Sequence, residues 1–155
     1  MFLKILAALA GLGGGWAGLR AAFTSKGSID EWTSLGPLDA APVDTPEQRS
    51  VTVTERLGWL ERSVEKEIWM RRDGDGAVMV FSAACPHEAC AVQKDANAPG
   101  FVCLCHHSHF GPDGALLDGP ALRGLDTLEH RLENGVLWAR YQKFKKQLRA
   151  KEVVS

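Results

Sequence analysis

The two segments that decide the fold of this chain are CPHEAC at residues 85–90 and CLCHHSHF at residues 103–110. Together they contain all 4 cysteines of the sequence and all but one of its 5 histidines. Cysteine sulfur and imidazole nitrogen are the ligands that zinc, copper and iron–sulfur centres prefer in proteins. The clustering therefore predicts a metal site that both segments build together.

The composition limits the architecture around these segments. The chain has 155 residues, of which 45% are hydrophobic, so it has room for one ordinary core and hardly for two. A formal net charge of −1 and a pI near 6.5 give no global indication of a nucleic-acid or polyanionic partner, and we predict no nucleic-acid partner. With 16 glycines and 7 prolines, the sequence is typical of a loop-rich domain of short strands.

The N-terminal segment differs from the rest of the chain, because its first nineteen residues are apolar apart from Lys4. A membrane-spanning helix needs about 20 such residues, whereas the uninterrupted apolar run from residue 5 to 19 also fits the core of a cleaved secretory signal. Three glycines at residues 13–15 disfavour a buried helix in water and are better tolerated in a membrane. We predict a membrane anchor at residues 1–20 and a flexible tether at 21–31.

The sequence pattern of the remaining residues predicts β-strands. Alternating β-branched residues mark a strand at 48–56, and an Asp-Gly-Asp-Gly turn at 73–76 joins two further strands into a hairpin. Turn residues between 32 and 46 indicate extended backbone with bends, and an Asn134-Gly135 turn introduces a last strand. We predict an all-β domain at residues 32–155 in which two loops, 85–90 and 103–114, carry the metal site. Its core or sheet packing is expected to include Trp59, Trp69 and Trp138.

The kind of metal site follows from the number of candidate ligands. Each loop offers two cysteines and one well-spaced histidine: Cys85, His87 and Cys90 in the first, and Cys103, Cys105 and His106 in the second. A tetrahedral zinc site needs only four ligands, and two disulfides would leave the histidines without a role. Mixed cysteine and histidine ligation also suits a two-iron cluster, and the ligand pattern favours this over zinc.

The two segments match the pattern C-x-H-x2-C followed by C-x-C-H-x-S, so the chain resembles the Rieske iron–sulfur proteins. Residues 119–121, Gly-Pro-Ala, are similar to the proline loop that covers the cluster in that family, and residues 138–144 resemble the ends of bacterial members. The resemblance implies a Rieske-type antiparallel β-sandwich with a two-loop cluster-binding subdomain. With the N-terminal anchor, the chain looks most like the Rieske subunit of cytochrome bc complexes.

The resemblance also implies the roles of the clustered residues. One [2Fe-2S] cluster would be held by the thiolates of Cys85 and Cys103 and by the imidazoles of His87 and His106. The remaining cysteines, Cys90 and Cys105, would form a disulfide between the loops. Histidine in place of two thiolates raises the reduction potential to about −150 to +300 mV from about −400 mV.

Further residues are expected to tune and cover the cluster. Ser108 stands where the family places a hydrogen bond to cluster sulfur, and Gly119-Pro120 would form the covering loop. Phe110 replaces a tyrosine whose hydroxyl stabilises the reduced cluster, and Glu88 replaces a shielding leucine. Both replacements lower the expected potential, unless the Glu88 side chain simply extends into water. His107 stands where a glycine is usual, which leaves it as an alternative ligand to His106.

By resemblance, the protein is the electron-transfer subunit of a quinol:cytochrome c oxidoreductase and is not catalytic alone. His106 would contact quinol, expected to be menaquinol, and accept a proton while the cluster accepts an electron. A cytochrome b subunit would share the quinol pocket, and a c-type cytochrome would receive the electron. We predict a single-pass protein of the cytoplasmic (inner) membrane with its head on the periplasmic or outer side, because a disulfide requires an oxidising compartment.

Other functions share parts of the pattern. The small subunit of an arsenite-oxidase-type molybdenum enzyme has the same disulfide-bearing motif and is the main alternative. Soluble Rieske ferredoxins and oxygenase domains lack the additional cysteine pair and an anchor. The basic residues at the C-terminus, Lys143, Lys145, Lys146, Arg149 and Lys151, are expected to be solvated, although they also suit an acidic partner.

Overall fold

Ten β-strands and no α-helix are found in residues 32–154, which are the residues that this computed structural model describes. In that part of the chain no helix is long and apolar enough to cross a membrane. The anchor and tether predicted at residues 1–31 lie outside the described residues. The strands are β1 (Trp32–Pro37), β2 (Glu47–Leu57), β3 (Leu60–Arg72), β4 (Val78–Ser82), β5 (Val92–Lys94), β6 (Phe101–Cys103), β7 (Ser108–Phe110), β8 (Leu116–Asp118), β9 (Glu129–Glu133) and β10 (Val136–Arg140).

The strands form three antiparallel sheets, in the orders β1-β10-β9, β2-β3-β4 and β5-β6-β7-β8. The first two sheets enclose a core because alternate side chains of each strand point inward, as Val51 and Val53 of β2 do. A second core lies under the four-stranded sheet and contains Trp69, Phe81, Val92, Phe101 and Phe110 together with Cys85 and Cys103. The predicted all-β class is confirmed, and the predicted metal site adjoins its own apolar core.

Both turns predicted from sequence are present. Between β3 and β4, the Asp73 amide donates to the Ala77 carbonyl at 2.8 Å and the Gly76 amide donates to the Asp73 carbonyl at 2.9 Å. Between β9 and β10, Asn134 and Gly135 have φ angles of 50° and 78°, as a two-residue type I′ turn requires. Strand β2 also confirms the strand predicted at 48–56.

The hairpin of β2 and β3 is longer than the sequence pattern indicated. Leu57 pairs with Leu60 across the turn, while β4 pairs with β3 only between Ile68 and Arg72. The tip therefore extends beyond the sheet, and Trp59 is 93% exposed there. The prediction that Trp59 packs in the core or on the sheet is wrong, because its place in a tight turn separates it from both. Trp69 is buried, and its indole N–H donates to the Val92 carbonyl.

Residues 143–154, the last ones that the structure describes, form a hairpin. Phe144 bridges Val153, the Lys145 amide donates to the Glu152 carbonyl, and the Val154 amide donates to the Lys143 carbonyl. We call residues 143–154 the C-terminal strap. The predicted exposure of its basic residues is confirmed, and three of them, Lys143, Lys145 and Lys146, also form ion pairs with acidic side chains.

One buried carboxylate links this strap to the sheet of β2, β3 and β4. The Glu55 side chain is 4% exposed and forms ion pairs with Lys143 at 2.7 Å, Arg62 at 2.7 Å and Lys66 at 3.1 Å. Hydrogen bonds from Lys143 and Arg62 are the main causes that lower the pKa of Glu55 from 4.5 to about 2, against the opposing effect of burial. The carboxylate therefore stabilises the fold only while it is ionised.

We expect Glu55→Gln to lower the free energy of unfolding at pH 7 by about 2 kcal/mol. This is less than the pKa shift of Glu55 alone would imply, because Arg62 and Lys143 are partly exposed and water screens their charges. Because the folded pKa lies below the unfolded one, this stabilisation is present above pH 4.5 and is lost as the pH falls toward 2. Denaturant unfolding at several pH values should show the two proteins converging over that range.

The exposed ion pair of Arg56 and Glu61 provides the control for this prediction. Both side chains are more than half exposed, at 60% and 55%. Glu61→Gln is therefore expected to change stability by no more than about 0.5 kcal/mol. An equal loss in both variants, or a difference for Glu55→Gln that persists at pH 2, would contradict the role assigned to Glu55.

Candidate metal centre

The two loops that carry the predicted ligands have the same local backbone structure. The Ala89 amide donates to the Cys85 carbonyl at 2.8 Å, and the His107 amide donates to the Cys103 carbonyl at 2.9 Å. Each loop thus closes a five-residue turn that begins at a cysteine and ends at a residue with left-handed φ, 59° for Ala89 and 55° for His107. Because glycine is favoured in this conformation, His107 occupies a position that a glycine would suit.

A disulfide between Cys90 and Cys105 joins the two loops, with their Cα atoms 6.4 Å apart. This confirms the predicted pairing and leaves Cys85 and Cys103 as free thiols, both buried. The sulfur atoms of Cys90, Cys103 and Cys105 all lie within 4.8 Å of one another. Bonded sulfurs offer no thiolate, however, so this trio cannot act as three metal ligands, and Cys85 and Cys103 are the available thiolates.

The two predicted histidine ligands lie side by side. The ring centroids of His87 and His106 are 4.7 Å apart, and the ring planes are nearly perpendicular at 85°. The Nδ1 atom of His87 is buried without a hydrogen-bond partner, an arrangement that costs about 1–3 kcal/mol unless a ligand satisfies the atom. His106 is exposed. One imidazole nitrogen therefore faces inward for a metal, while the second ring is accessible from outside.

These donors fit a [2Fe-2S] cluster. Burial, with a further contribution from Cys103, raises the pKa of the Cys85 thiol to about 11, so this thiol is neutral until a metal displaces its proton. Two buried thiols and two adjacent imidazoles, with the loops fixed by a disulfide, match the mixed ligation in which histidine replaces two cysteines on one iron. Individual bonds from Cys85, His87, Cys103 and His106 to iron stay a prediction.

The predicted covering loop lies against the second cluster loop. Gly119 has a φ of +101°, and a Cβ atom there would lie 2.5 Å from the Ser108 Cα and 2.6 Å from the His107 carbonyl oxygen. Ser108 is fully buried, and its Oγ accepts a hydrogen bond from the Ala121 amide at 3.1 Å. Because that oxygen acts as an acceptor, its own proton stays free to donate. This geometry suits the predicted donation to cluster sulfur and places Gly119-Pro120 where it can cover the site.

The remaining tuning residues have contrasting surroundings. Phe110 is buried in the core beside the free cysteines, so its ring packs there without a hydroxyl. Glu88 accepts hydrogen bonds from Lys146, at 2.8 Å, and from the side chain of Gln147. The Lys146 ammonium, and then its neighbour Gln147, hold the pKa of the Glu88 carboxyl below its usual value. Glu88 is therefore paired with the C-terminal strap rather than free in water.

The contact of Glu88 with Lys146 and Gln147 is the part of the site that sequence analysis missed. Its members are 58 and 59 residues apart, and no local pattern links them. The run of basic residues in the strap was the available signal, since such a run also suits an acidic contact. His109 follows the predicted ligands of the second loop and is partly exposed, as expected for a surface histidine. Its Nδ1 atom lies 3.3 Å from a carboxylate oxygen of Asp95.

Comparison with known proteins agrees with this donor set. Residues 43–129 match the family model of the Rieske [2Fe-2S] domain. The menaquinol:cytochrome c reductase iron-sulfur subunit of Geobacillus thermodenitrificans is 29% identical over 97 residues, which are 60% of this chain and 57% of that protein. The chloroplastic cytochrome b6-f complex iron-sulfur subunit of Bigelowiella natans is 41% identical over 55 residues, or 36% of this chain and 22% of that one.

Solved structures agree at the level of the fold. A quaternary ammonium Rieske monooxygenase superimposes with a TM-score of 0.52 and 14% sequence identity, covering 72% of this chain and 31% of the other. At this identity the likeness concerns the fold alone. The chain spans 57% or less of the length of the two curated relatives described above, so the matches concern the cluster-binding domain more than the whole proteins.

Proposed function

Since the chain belongs to the Rieske [2Fe-2S] domain family, we propose that it is the electron-transfer subunit of a cytochrome bc-type quinol:cytochrome c oxidoreductase. The observation that carries this proposal is the exposed His106 imidazole in the second of two loops that a disulfide joins. Two of its relatives, described above, are subunits of a menaquinol:cytochrome c reductase and of a cytochrome b6-f complex. The subunit is not catalytic alone, because the quinol pocket requires a cytochrome b partner.

The cluster, the His106 ring and two exposed leucines have separate roles in the proposed reaction. The [2Fe-2S] cluster, when bound, supplies a one-electron acceptor. The outer nitrogen of the His106 ring accepts the proton of the quinol hydroxyl, since this ring is exposed and can be reached from a second subunit. Leu104, in the second loop, is 56% exposed, and Leu122, which follows the Ala121 bonded to Ser108 of that loop, is 43% exposed. They provide an apolar rim for docking at the quinol pocket.

Menaquinol is the proposed substrate and a c-type cytochrome the proposed acceptor. Menaquinol suits a cluster of low potential, and Phe110 contributes to a low potential because it has no hydroxyl to donate to a ligand sulfur. The similarity to a menaquinol:cytochrome c reductase subunit supports the same choice. The charge of Glu88 also lowers the potential, but Lys146 offsets it. Phe110 is therefore expected to lower the potential more than Glu88 does.

We further propose that the protein is anchored in the cytoplasmic (inner) membrane by residues 1–20, with its head on the periplasmic or outer side. The apolar composition of this segment supports the anchor. The disulfide between Cys90 and Cys105 supports an oxidising compartment for the head, because cytosolic reductants keep thiols reduced.

The first test is electron paramagnetic resonance (EPR) of the dithionite-reduced full chain, followed by a redox titration at several pH values. We expect a rhombic signal with an average g below that of all-cysteine two-iron clusters. We also expect a midpoint potential that falls as the pH rises near neutrality, because reduction is coupled to proton uptake. Zinc without an EPR signal would contradict the cluster, and a midpoint independent of pH would contradict the quinol-oxidising role.

The partner is tested by affinity purification of the full chain from its native membranes in mild detergent. We expect b-type and c-type haem to co-purify and to be reduced when menaquinol is added. A molybdenum cofactor in place of b-type haem would contradict the proposal and assign the chain to an arsenite-oxidase-type enzyme. Recovery of neither group would contradict assembly into a stable bc-type complex.

A further inference from the structure

The C-terminal strap is bound to the body of the domain next to the first cluster loop. The Gln147 amide donates to the Pro86 carbonyl at 2.9 Å. Arg123, whose side chain is 8% exposed, donates to the Lys145 and Leu148 carbonyls at 2.7 Å each and forms a two-point ion pair with Asp126. The strap contributes backbone atoms to its contacts with Pro86 and Arg123, so these contacts do not depend on the Lys146 side chain.

The strap carries one ammonium group to the cluster loop. The Lys146 Nζ lies 2.8 Å from a carboxylate oxygen of Glu88, while the Gln147 side chain donates to the other oxygen. Glu88 directly follows His87, a predicted ligand, and its carboxylate interacts electrostatically with that imidazole. A negative charge there opposes the addition of an electron, and a positive charge favours it.

We propose that Lys146 of the C-terminal strap is a positioning and tuning residue that sets the reduction potential of the cluster through its pairing with Glu88. In this pair, the charge of Lys146 offsets that of Glu88, and the strap backbone holds both beside the first loop. The effect is moderate, because the two side chains are 49% and 35% exposed and water screens their charges. The proposal concerns the cluster of the isolated chain and does not depend on the identity of the quinol or the cytochromes.

The experiment compares Lys146→Ala with the wild-type full chain by redox titration monitored by EPR. We expect the equilibrium constant for reduction to fall about threefold, which is about 30 mV for a one-electron couple at about 59 mV per tenfold change. We expect Glu88→Gln to raise the constant by a similar factor, and the double variant to return close to wild type. Salt at about 1 M should reduce each shift, since it screens exposed charges.

Lys145→Ala is the matched control, because it removes the same charge one position away. Lys145 pairs with Glu152 inside the strap and is 54% exposed, close to the value for Lys146. We expect its midpoint to equal that of wild type, with the same iron content and unfolding temperature in both lysine variants. An equal shift in Lys145→Ala would show a general charge effect and overturn the proposal. An unchanged midpoint in Lys146→Ala would overturn it as well.

Discussion

Replacing His106 with alanine is expected to remove the [2Fe-2S] cluster completely, whereas replacing the adjacent His107 is expected to leave it in place. The ring of His106 lies against that of His87, with centroids 4.7 Å apart, and His87 presents a buried nitrogen without a partner. His107 instead closes the turn of the second loop through its amide, which bonds to the Cys103 carbonyl. A backbone contact survives substitution by alanine, while a metal–imidazole bond does not.

The measurement is the iron and acid-labile sulfide content of each purified variant, together with its visible absorption and EPR spectrum. His107→Ala should differ from wild type by no more than about 1 kcal/mol in stability, because histidine and alanine adopt the left-handed φ of this position at similar cost. A cluster present in His106→Ala and absent in His107→Ala would show that His107, not His106, is the second-loop ligand. A cluster retained in both variants would contradict the assignment of a second-loop imidazole to iron.

Features encoded by neighbouring residues were the ones that sequence could predict. The turn at Asn134-Gly135 depends on two residues that accept left-handed φ, and the strand at 48–56 depends on a period of two. The cysteine and histidine spacing identified both loops, because each loop is a single five-residue turn. The disulfide of Cys90 and Cys105 came from the family resemblance, since four cysteines alone allow three pairings.

Features that depend on the tertiary fold were missed. Glu88 and Lys146 are 58 residues apart, and they meet only because the C-terminal strap is held by Arg123 and by the Pro86 carbonyl. Trp59 has a composition typical of cores, but the length of the β2–β3 hairpin places it beyond the sheet. Neither the distance of a hairpin tip from the core nor the path of a chain end has a local sequence signal.

Gly119→Ala is expected to lower the free energy of unfolding by about 3 kcal/mol or more and to cause loss of the cluster. An added Cβ would lie 2.5 Å from the Ser108 Cα, 2.6 Å from the His107 carbonyl oxygen and 2.9 Å from the Ser108 amide nitrogen. These are backbone atoms, so no side-chain rotation relieves the overlap, and the covering loop must move away from the second loop. That movement separates Ala121 from Ser108, whose hydroxyl is predicted to donate to the cluster.

Gly76→Ala separates this steric effect from the cost of a positive φ. Gly76 has a φ of +90°, similar to the +101° of Gly119, but no atom lies within 4 Å of the position of an added Cβ. We therefore expect Gly76→Ala to cost only about 1–2 kcal/mol and to retain its cluster. Thermal unfolding and the half-life of the visible absorption would be measured for both variants. If the two lost stability equally and kept their clusters equally long, the close packing of Gly119 on the second loop would not protect the site, and its role would be limited to permitting the turn.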